Sequence, residues 1–241
     1  MNKPVQLFIL LLFHLVAVTA FSQPEKVKNY RKFDNRIMHF GFMLGFNQAN
    51  LTTYSVVGAY EQYGLLAVES HKQPGGQVGV LTTIKLGHPV IRLRFLPTLS
   101  FQERLLKYYY PPLGANKPEV VNEERINSVN LDFPLMLQFR TLRYNNFAAY
   151  FLGGAQYSLD LQSQEKATQS DIDPFVKIRK HDLQGQVGGG VEFFFPYFKM
   201  GLEVKFSHSF KNVMIRDNSP VSAPIDKMYN RVWWFSIIFE G

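Results

Sequence analysis

The chain has 241 residues, a formal net charge of +7 and no cysteine, which excludes disulfides and thiolate metal centres. Its hydrophobic content of 46% is that of an ordinary folded protein, but 15% of the residues are aromatic, including 22 Phe and 12 Tyr. This excess of aromatic residues favours β-strands and membrane interfaces. Because the chain has neither an internal repeat nor a Gly/Ser/Pro-rich linker, we expect a single domain.

The N-terminal residues have the pattern of a cleaved export signal. Lys3 is followed by an apolar run over residues 7–17 and by small residues around Ala20. The run is shorter than the about 20 apolar residues that a membrane-spanning helix needs. We therefore predict a signal peptide at 1–22, a basic tail at 23–37 and a barrel domain at 38–241.

After the tail, apolar side chains alternate with small or polar ones. In residues 38–47 one parity is entirely apolar, while the other carries His39, Gly41, Gly45 and Asn47. A two-residue period is typical of strands with one apolar and one polar face. The pattern recurs in eight segments: 38–47, 77–86, 91–101, 129–140, 147–159, 182–195, 197–209 and 231–240. This count predicts an all-β fold, an eight-stranded antiparallel up-and-down transmembrane β-barrel.

The predicted connections alternate between short and long. The short ones are 87–89, 141–146 and Pro196, and the long ones are 48–76, 103–127, 160–181 and 210–229. Outer-membrane barrels have short periplasmic turns and long external loops, whereas a soluble sandwich has no reason to separate its loops by length. The alternation therefore predicts a bacterial outer-membrane protein whose N- and C-termini are both periplasmic.

The polar face of the strands is predicted to line the lumen. The alternative is a soluble barrel, which hides its apolar face inside and shows its charged face to water. The charges of the polar face are mixed in sign, so they can neutralise one another inside a narrow barrel. The predicted lumen ion network consists of Lys85, Arg92, Arg94, Asp132, Glu192, Glu203 and Lys205. A lumen filled in this way leaves no transport channel.

Features that could suggest catalysis or metal binding have plainer explanations. Ser207 and His208 are adjacent, but neighbours on a strand point to opposite faces and cannot share a proton. Glu192 and Glu203 form a candidate carboxylate pair, for which neutralisation by nearby cations is the preferred role. Residues 171–173 (DID) lack the ligand spacing of a calcium loop. We expect no catalytic residue, no cofactor and no metal.

The basic tail is a candidate surface for binding a partner. Its aromatic side chains can anchor in a partner's pocket while its charges steer the approach, and a merely solvated tail is the alternative. The residues concerned are Lys26, Lys28, Tyr30, Arg31, Lys32, Phe33 and Arg36. An exported protein meets little nucleic acid, so the expected partners are outer-membrane lipid and other envelope or secretion proteins.

Several short motifs resemble the PorT family of outer-membrane proteins from Bacteroidota. They are FDNRIMHFGF at 33–42, FLPTLSFQER at 95–104, NLDFPL at 130–135 and FPYFK at 195–199. The resemblance implies a role in the type IX secretion system, which exports proteins across the outer membrane and in some species supports gliding. The resemblance implies no catalytic residues.

Three functional hypotheses follow. The preferred one is a non-enzymatic barrel that serves the assembly, docking or maturation of the type IX export machinery or its cargo. The second is a generic small barrel with structural or adhesive loops. The third is a lipid hydrolase that acts at the barrel rim.

Overall fold

The computed structural model describes residues 28–112, 114, 118–165, 175–217 and 219–241. Its strands are β1 (Met38–Ser55), β2 (Ala67–Lys85), β3 (Ile91–Phe95), β4 (Thr98–Tyr110), β5 (Val120–Arg140), β6 (Phe147–Asp160), β7 (His181–Phe194), β8 (Lys199–Ser209) and β9 (Ile225–Glu240). The short helix α1 (Arg31–Asn35) precedes β1, and α2 (Ala59–Gln62) lies between β1 and β2. Among the described residues, no helix is both long enough and apolar enough to cross a membrane. The predicted signal peptide at 1–22 lies outside the described residues.

The strands close into a ring. β3 and β4 form one wall strand, because both pair with β2 on one side and with β5 on the other. They separate at residues 96–97, where Pro97 has no N–H to donate to the ladder. Each wall strand pairs antiparallel with the next, and β9 closes the ring on β1, with Glu240 opposite Gly41. The ring therefore has eight strands, which confirms the predicted eight-stranded antiparallel barrel.

Several strands extend beyond their predicted ends. The stretches 48–55, 67–76, 103–110, 120–127 and 225–229 continue strands, although the sequence pattern predicts them to be loop. That part of the prediction is wrong because the side-chain alternation fades there while the backbone ladder continues. On β1, for example, the outward position after Phe46 is occupied by the polar Gln48.

The two ends of the barrel differ in their connections. The short turns 86–90, 141–146 and 195–198 lie together at one end, which we call the turn end. The strand ends that the longer connections 56–66, 111–119, 161–180 and 210–224 join lie at the opposite end, which we call the loop end. The predicted alternation of short and long connections is therefore present, with loops shorter than predicted.

The apolar face of the strands points outward. On β1, Phe40, Phe42, Leu44 and Phe46 are 50–62% exposed, whereas Met43 between them is fully buried. The outward rings of β1 also stack on phenylalanines of β9. An apolar outer wall of this kind suits contact with lipid tails.

Buried side chains pack into both ends of the lumen. At the loop end the extended strands and the loops contribute a buried apolar cluster that includes Leu51, Leu65, Leu106, Tyr108, Ile178, Met214, Val221 and Met228. The Oη of Tyr108 donates a hydrogen bond to the carbonyl of Val221 at 2.7 Å, which ties a wall strand to the 210–224 loop. At the turn end, the segment that contains α1 folds against the barrel and buries Phe33 completely.

Candidate functional site

A network of buried charges occupies the lumen, with Arg94 of β3 at its centre. The Nη1 of Arg94 donates to Glu203 at 2.6 Å, and its Nη2 donates to Glu240 at 3.2 Å. The same Nη2 donates to Gln138 Oε1 at 3.1 Å. The guanidinium also lies over the ring of Tyr150, 5.2 Å from its centroid. All of these side chains are buried.

Two lysines extend the network. Lys199 pairs with Glu192 at 2.7 Å and with Glu240 at 2.8 Å. Lys205 pairs with Glu203 at 2.9 Å. A buried carboxylate without a partner would cost several kcal/mol. Multiple contacts to cations are therefore what allow these carboxylates to remain inside the barrel.

Glycines of β7 make room for the long side chains of the network. Gly188 lies opposite Lys205 and Gly190 opposite Glu203 on β8. A Cβ at Gly190 would lie 2.5 Å from Tyr150 Oη, and a Cβ at Gly188 would lie 2.7 Å from Lys205 Cγ. Gly188 and Gly190 thus have a packing role.

The structure brings together only part of the predicted network. Its members Arg94, Glu192, Glu203 and Lys205 lie in one cluster. Lys85 lies instead at the turn end, where its Nζ donates to the Asp34 carbonyl at 3.1 Å. Arg92 is buried and faces the ring of Phe33 at 5.5 Å, but makes no ion pair among the described residues.

Asp132 belongs to a different polar cluster, formed by side chains of β4, β5 and β6. Its carboxylate accepts hydrogen bonds from Ser100 at 2.7 Å and from Ser158 at 2.5 Å. It makes no ion pair within the described part of the chain, so its expected place in the ion network is wrong. Parity along a strand predicts which face a side chain occupies, but not its height along the barrel axis.

Several members of the network were not predicted from the sequence, among them Lys199, Glu240 and Tyr150. Glu240 is the last residue of β9 and contacts both Arg94 and Lys199. Glu240 lies on the same face of β9 as Trp234 and Ile238, which are both buried. The alternation along β9 could therefore have predicted that Glu240 faces the lumen. Tyr150, whose Oη donates to Glu203 at 2.7 Å, lies on a strand whose small residues blur the two faces.

Phe33 of the tail fills the turn end of its own barrel. Its ring is fully buried and stacks on His39, with 3.7 Å between the centroids. It meets Phe194 edge-on at 5.8 Å, and the ammonium of Lys199 lies 4.6 Å from its centroid. The prediction that Phe33 anchors in a partner's pocket is therefore wrong, because burial in the barrel satisfies its apolar surface.

Ion pairs fasten the same segment. Asp34 pairs with Arg143 at 3.0 Å and with Arg140 at 3.5 Å. Arg140 also pairs with Glu192 at 3.0 Å, so α1 is joined to the lumen network through a shared cation.

The described part of the tail has both accessible and buried side chains. Lys28 and Arg36 are exposed, whereas Tyr30 is half-buried against Phe33, with 5.6 Å between the ring centroids. The remaining predicted tail residues, Lys26 and the side chains of Arg31 and Lys32, lie outside the described part of the chain.

The fold separates the groups that could have suggested catalysis. Ser207 points into the lumen, where its Oγ accepts a hydrogen bond from Trp234 Nε1 at 2.9 Å. His208 lies on the outer face and stacks on Tyr229 at 5.8 Å. Among the described residues, no group of His, Asp and Glu is arranged to hold a metal ion. Residues 171–173 lie outside that set.

A closed antiparallel ring with an apolar outer wall and a charged, filled lumen defines a membrane β-barrel. The chain belongs to the outer membrane protein beta-barrel domain family, whose model matches residues 21–214. This membership assigns the barrel to the bacterial outer membrane.

Solved structures of outer-membrane proteins are similar to the chain, among them the following three. The outer membrane protein OprG from Pseudomonas aeruginosa is 13% identical, with 84% of this chain and 92% of that chain covered and a TM-score of 0.44. Neisserial surface protein A is 11% identical, with 83% and 95% covered and a TM-score of 0.40. The outer membrane protease OmpT from Escherichia coli is 11% identical, with 84% and 94% covered and a TM-score of 0.41. No curated protein sequence matches the chain.

Proposed function

We propose that the chain is a non-enzymatic docking component of the outer membrane that acts in type IX protein secretion. Its part there is the assembly, docking or maturation of the export machinery or its cargo. The PorT-type motifs support the choice of pathway. The filled lumen carries the choice of mechanism, because an eight-stranded barrel with ion pairs inside it and buried clusters at both ends offers no path for a polypeptide.

The function must then lie on external surfaces. We place the loop end outside the cell and the turn end, with both termini, in the periplasm, in keeping with the usual placement of short turns and long loops. The docking surface in this proposal is at the turn end. It combines cations with exposed apolar side chains: Lys28, Arg36, Ile37, Leu142 and Tyr197.

This surface has the composition expected of a protein contact. Tyr197 is 86% exposed and Leu142 is 72% exposed, so both can enter pockets of a partner. Lys28 and Arg36 make no ion pair among the described residues, which leaves their charges available to steer an acidic partner. Because α1 is fastened to the barrel, this surface is presented in a fixed orientation.

The test replaces the docking residues in the native bacterium. A variant with Lys28→Ala, Arg36→Ala and Tyr197→Ala should remain a folded, heat-modifiable barrel in the outer membrane while secretion of type IX cargo falls. The matched control replaces Lys72, Lys227 and the exposed Tyr60, which lie toward the loop end, and should secrete normally.

The alternatives give different results. Normal secretion by the docking variant would overturn the proposal. Deletion of the whole gene that leaves secretion intact but changes adhesion would favour a generic structural barrel. Deletion that changes the modification of membrane lipids would favour a rim hydrolase.

A further inference from the structure

A cleft of about 520 Å³ lies on the outer face of the barrel at the loop end. Tyr157 of β6 and Leu183 of β7 form its base, and both are outward-facing and about two-fifths exposed. His181, at the start of β7, lines it beside Arg179 and Lys211 from the adjoining loops. It is therefore apolar on the barrel side and basic on the loop side.

The cleft carries two exposed cations. Arg179 and Lys211 are exposed, and neither forms an ion pair with a described carboxylate. Other cations toward this end do find partners. Lys107 pairs with Glu123 at 2.6 Å, and Arg125 pairs with Glu103 at 2.9 Å. The cleft thus concentrates positive charge that no carboxylate of the described residues compensates.

A neutral donor adds to the basic side. Tyr157 Oη and His181 Nδ1 lie 2.6 Å apart. When the tyrosine donates this hydrogen bond, the proton of a neutral imidazole resides on Nε2, where it can be donated to an anion. Together with Arg179 and Lys211, His181 provides a set of donors suited to phosphate oxygens.

The carboxylate of Asp182 also borders the cleft, but it is directed to the lumen. Its Oδ2 accepts hydrogen bonds from Ser209 at 2.6 Å, from Asn230 at 2.8 Å and from Gln184 at 2.8 Å. Asp182 is buried, so its charge is engaged on the inner side of the wall.

We propose that this cleft binds the phosphate of a phosphorylated lipid in the membrane leaflet at the loop end. The cleft lies where the apolar outer wall, which includes Leu183 and Val187, meets the basic loops. An occupant must therefore present a phosphate to Arg179 and Lys211 and an apolar chain to the wall. A membrane lipid with a phosphate headgroup has both parts. The proposal rests on the outer-membrane placement of the barrel and not on the secretion role.

The test measures lipid retention by native mass spectrometry of the full barrel in an uncharged detergent. The probes are phosphatidic acid and the phosphate-free diacylglycerol with the same acyl chains. The wild-type protein should retain more phosphatidic acid than the comparison lipid. Loss of two charge-assisted contacts in the variant with Arg179→Ala and Lys211→Ala should weaken this retention by about tenfold or more. The matched control with Lys72→Ala and Lys227→Ala removes two exposed cations elsewhere and should retain the lipid like the wild type.

Further measurements separate the remaining outcomes. If inorganic phosphate displaces phosphatidic acid at equal concentration, the cleft is a site for free anions and the lipid proposal is overturned. Equal retention of the two lipids by the wild type would also overturn it. So would a control variant that loses as much phosphatidic acid as the variant with Arg179→Ala and Lys211→Ala. A Lys211→Glu variant, in an exposed loop position, provides a second test if the double variant does not fold, and it too should lose the preference.

Discussion

The ring of Phe33 lies parallel to the imidazole of His39, with 3.7 Å between their centroids and 15° between their planes. A residue of the N-terminal tail is thereby stacked on a lumen residue of the first strand. The tail segment is thus part of the folded barrel, and its contribution to stability can be measured.

Replacing Phe33 with Ala should lower the free energy of unfolding in detergent by about 3 kcal/mol, the usual cost of removing a buried aromatic ring. Urea titration followed by tryptophan fluorescence provides the measurement. Tyr197→Ala removes another aromatic ring at the turn end from a site that is 86% exposed, so its midpoint should stay unchanged. Equal midpoints for the Phe33 variant and the wild type would show that the segment is detached in solution.

Replacing Arg94 with Ala should destabilise the barrel by roughly 3 kcal/mol or more, because two buried carboxylates lose a cation. The matched control is Arg125→Ala, which removes an exposed pair with Glu103 and should change stability by no more than about 1 kcal/mol. An unfolding midpoint for the Arg94 variant that coincides with the wild type would mean that water solvates this part of the lumen.

Replacing Gly190 with Ala should destabilise the barrel by about 1–3 kcal/mol through overpacking, since the new Cβ would meet Tyr150 Oη at 2.5 Å. Gly153→Ala is the control, because its nearest neighbour would be 3.8 Å away on the outer face. The midpoint of thermal unfolding should be lower for the Gly190 variant than for the Gly153 variant. Similar midpoints would argue against tight packing around Tyr150.

The orientation can be read by labelling single cysteines, because the chain has none of its own. Cysteines at Glu61 and Gln164, both exposed at the loop end, should react with an impermeant maleimide on intact cells. A cysteine at His88, exposed in a short turn, should react only after the outer membrane is opened. The reverse pattern would place the turn end outside.

The 210–224 loop should loosen in acid. Burial acts to raise the pKa of Asp217, but hydrogen bonds from Ser222 and Ser219 outweigh it and hold the pKa below the usual value. A lowered folded pKa contributes stability above the unfolded pKa, and that stability is lost as the pH falls through the folded value. Amide hydrogen exchange of Ser219 and Ser222, corrected for intrinsic rates, should show this loss. An Asp217→Asn variant should show no such dependence.

Alternation was enough to predict the ring of strands, because an apolar wall requires every second residue of a strand to be apolar. It failed at 48–55 and 120–127, where the strands continue with polar outward residues such as Gln48. The place of Phe33 could not be predicted, since a five-residue helix has no useful periodicity and its partners come from distant strands. Parity could put Arg94 and Asp132 on one face, but only the register of paired strands separates them into different clusters.

The seam between β1 and β9 links ring closure to charge balance. Glu240 lies opposite Gly41 across this seam and is also a partner of both Arg94 and Lys199. Without β9 in place, these two cations would lack one of their carboxylates, and the interior would carry more uncompensated positive charge. Docking of β9 therefore supplies both its backbone hydrogen bonds and a counter-charge, so a barrel without this strand in place would lose two kinds of stabilisation at once.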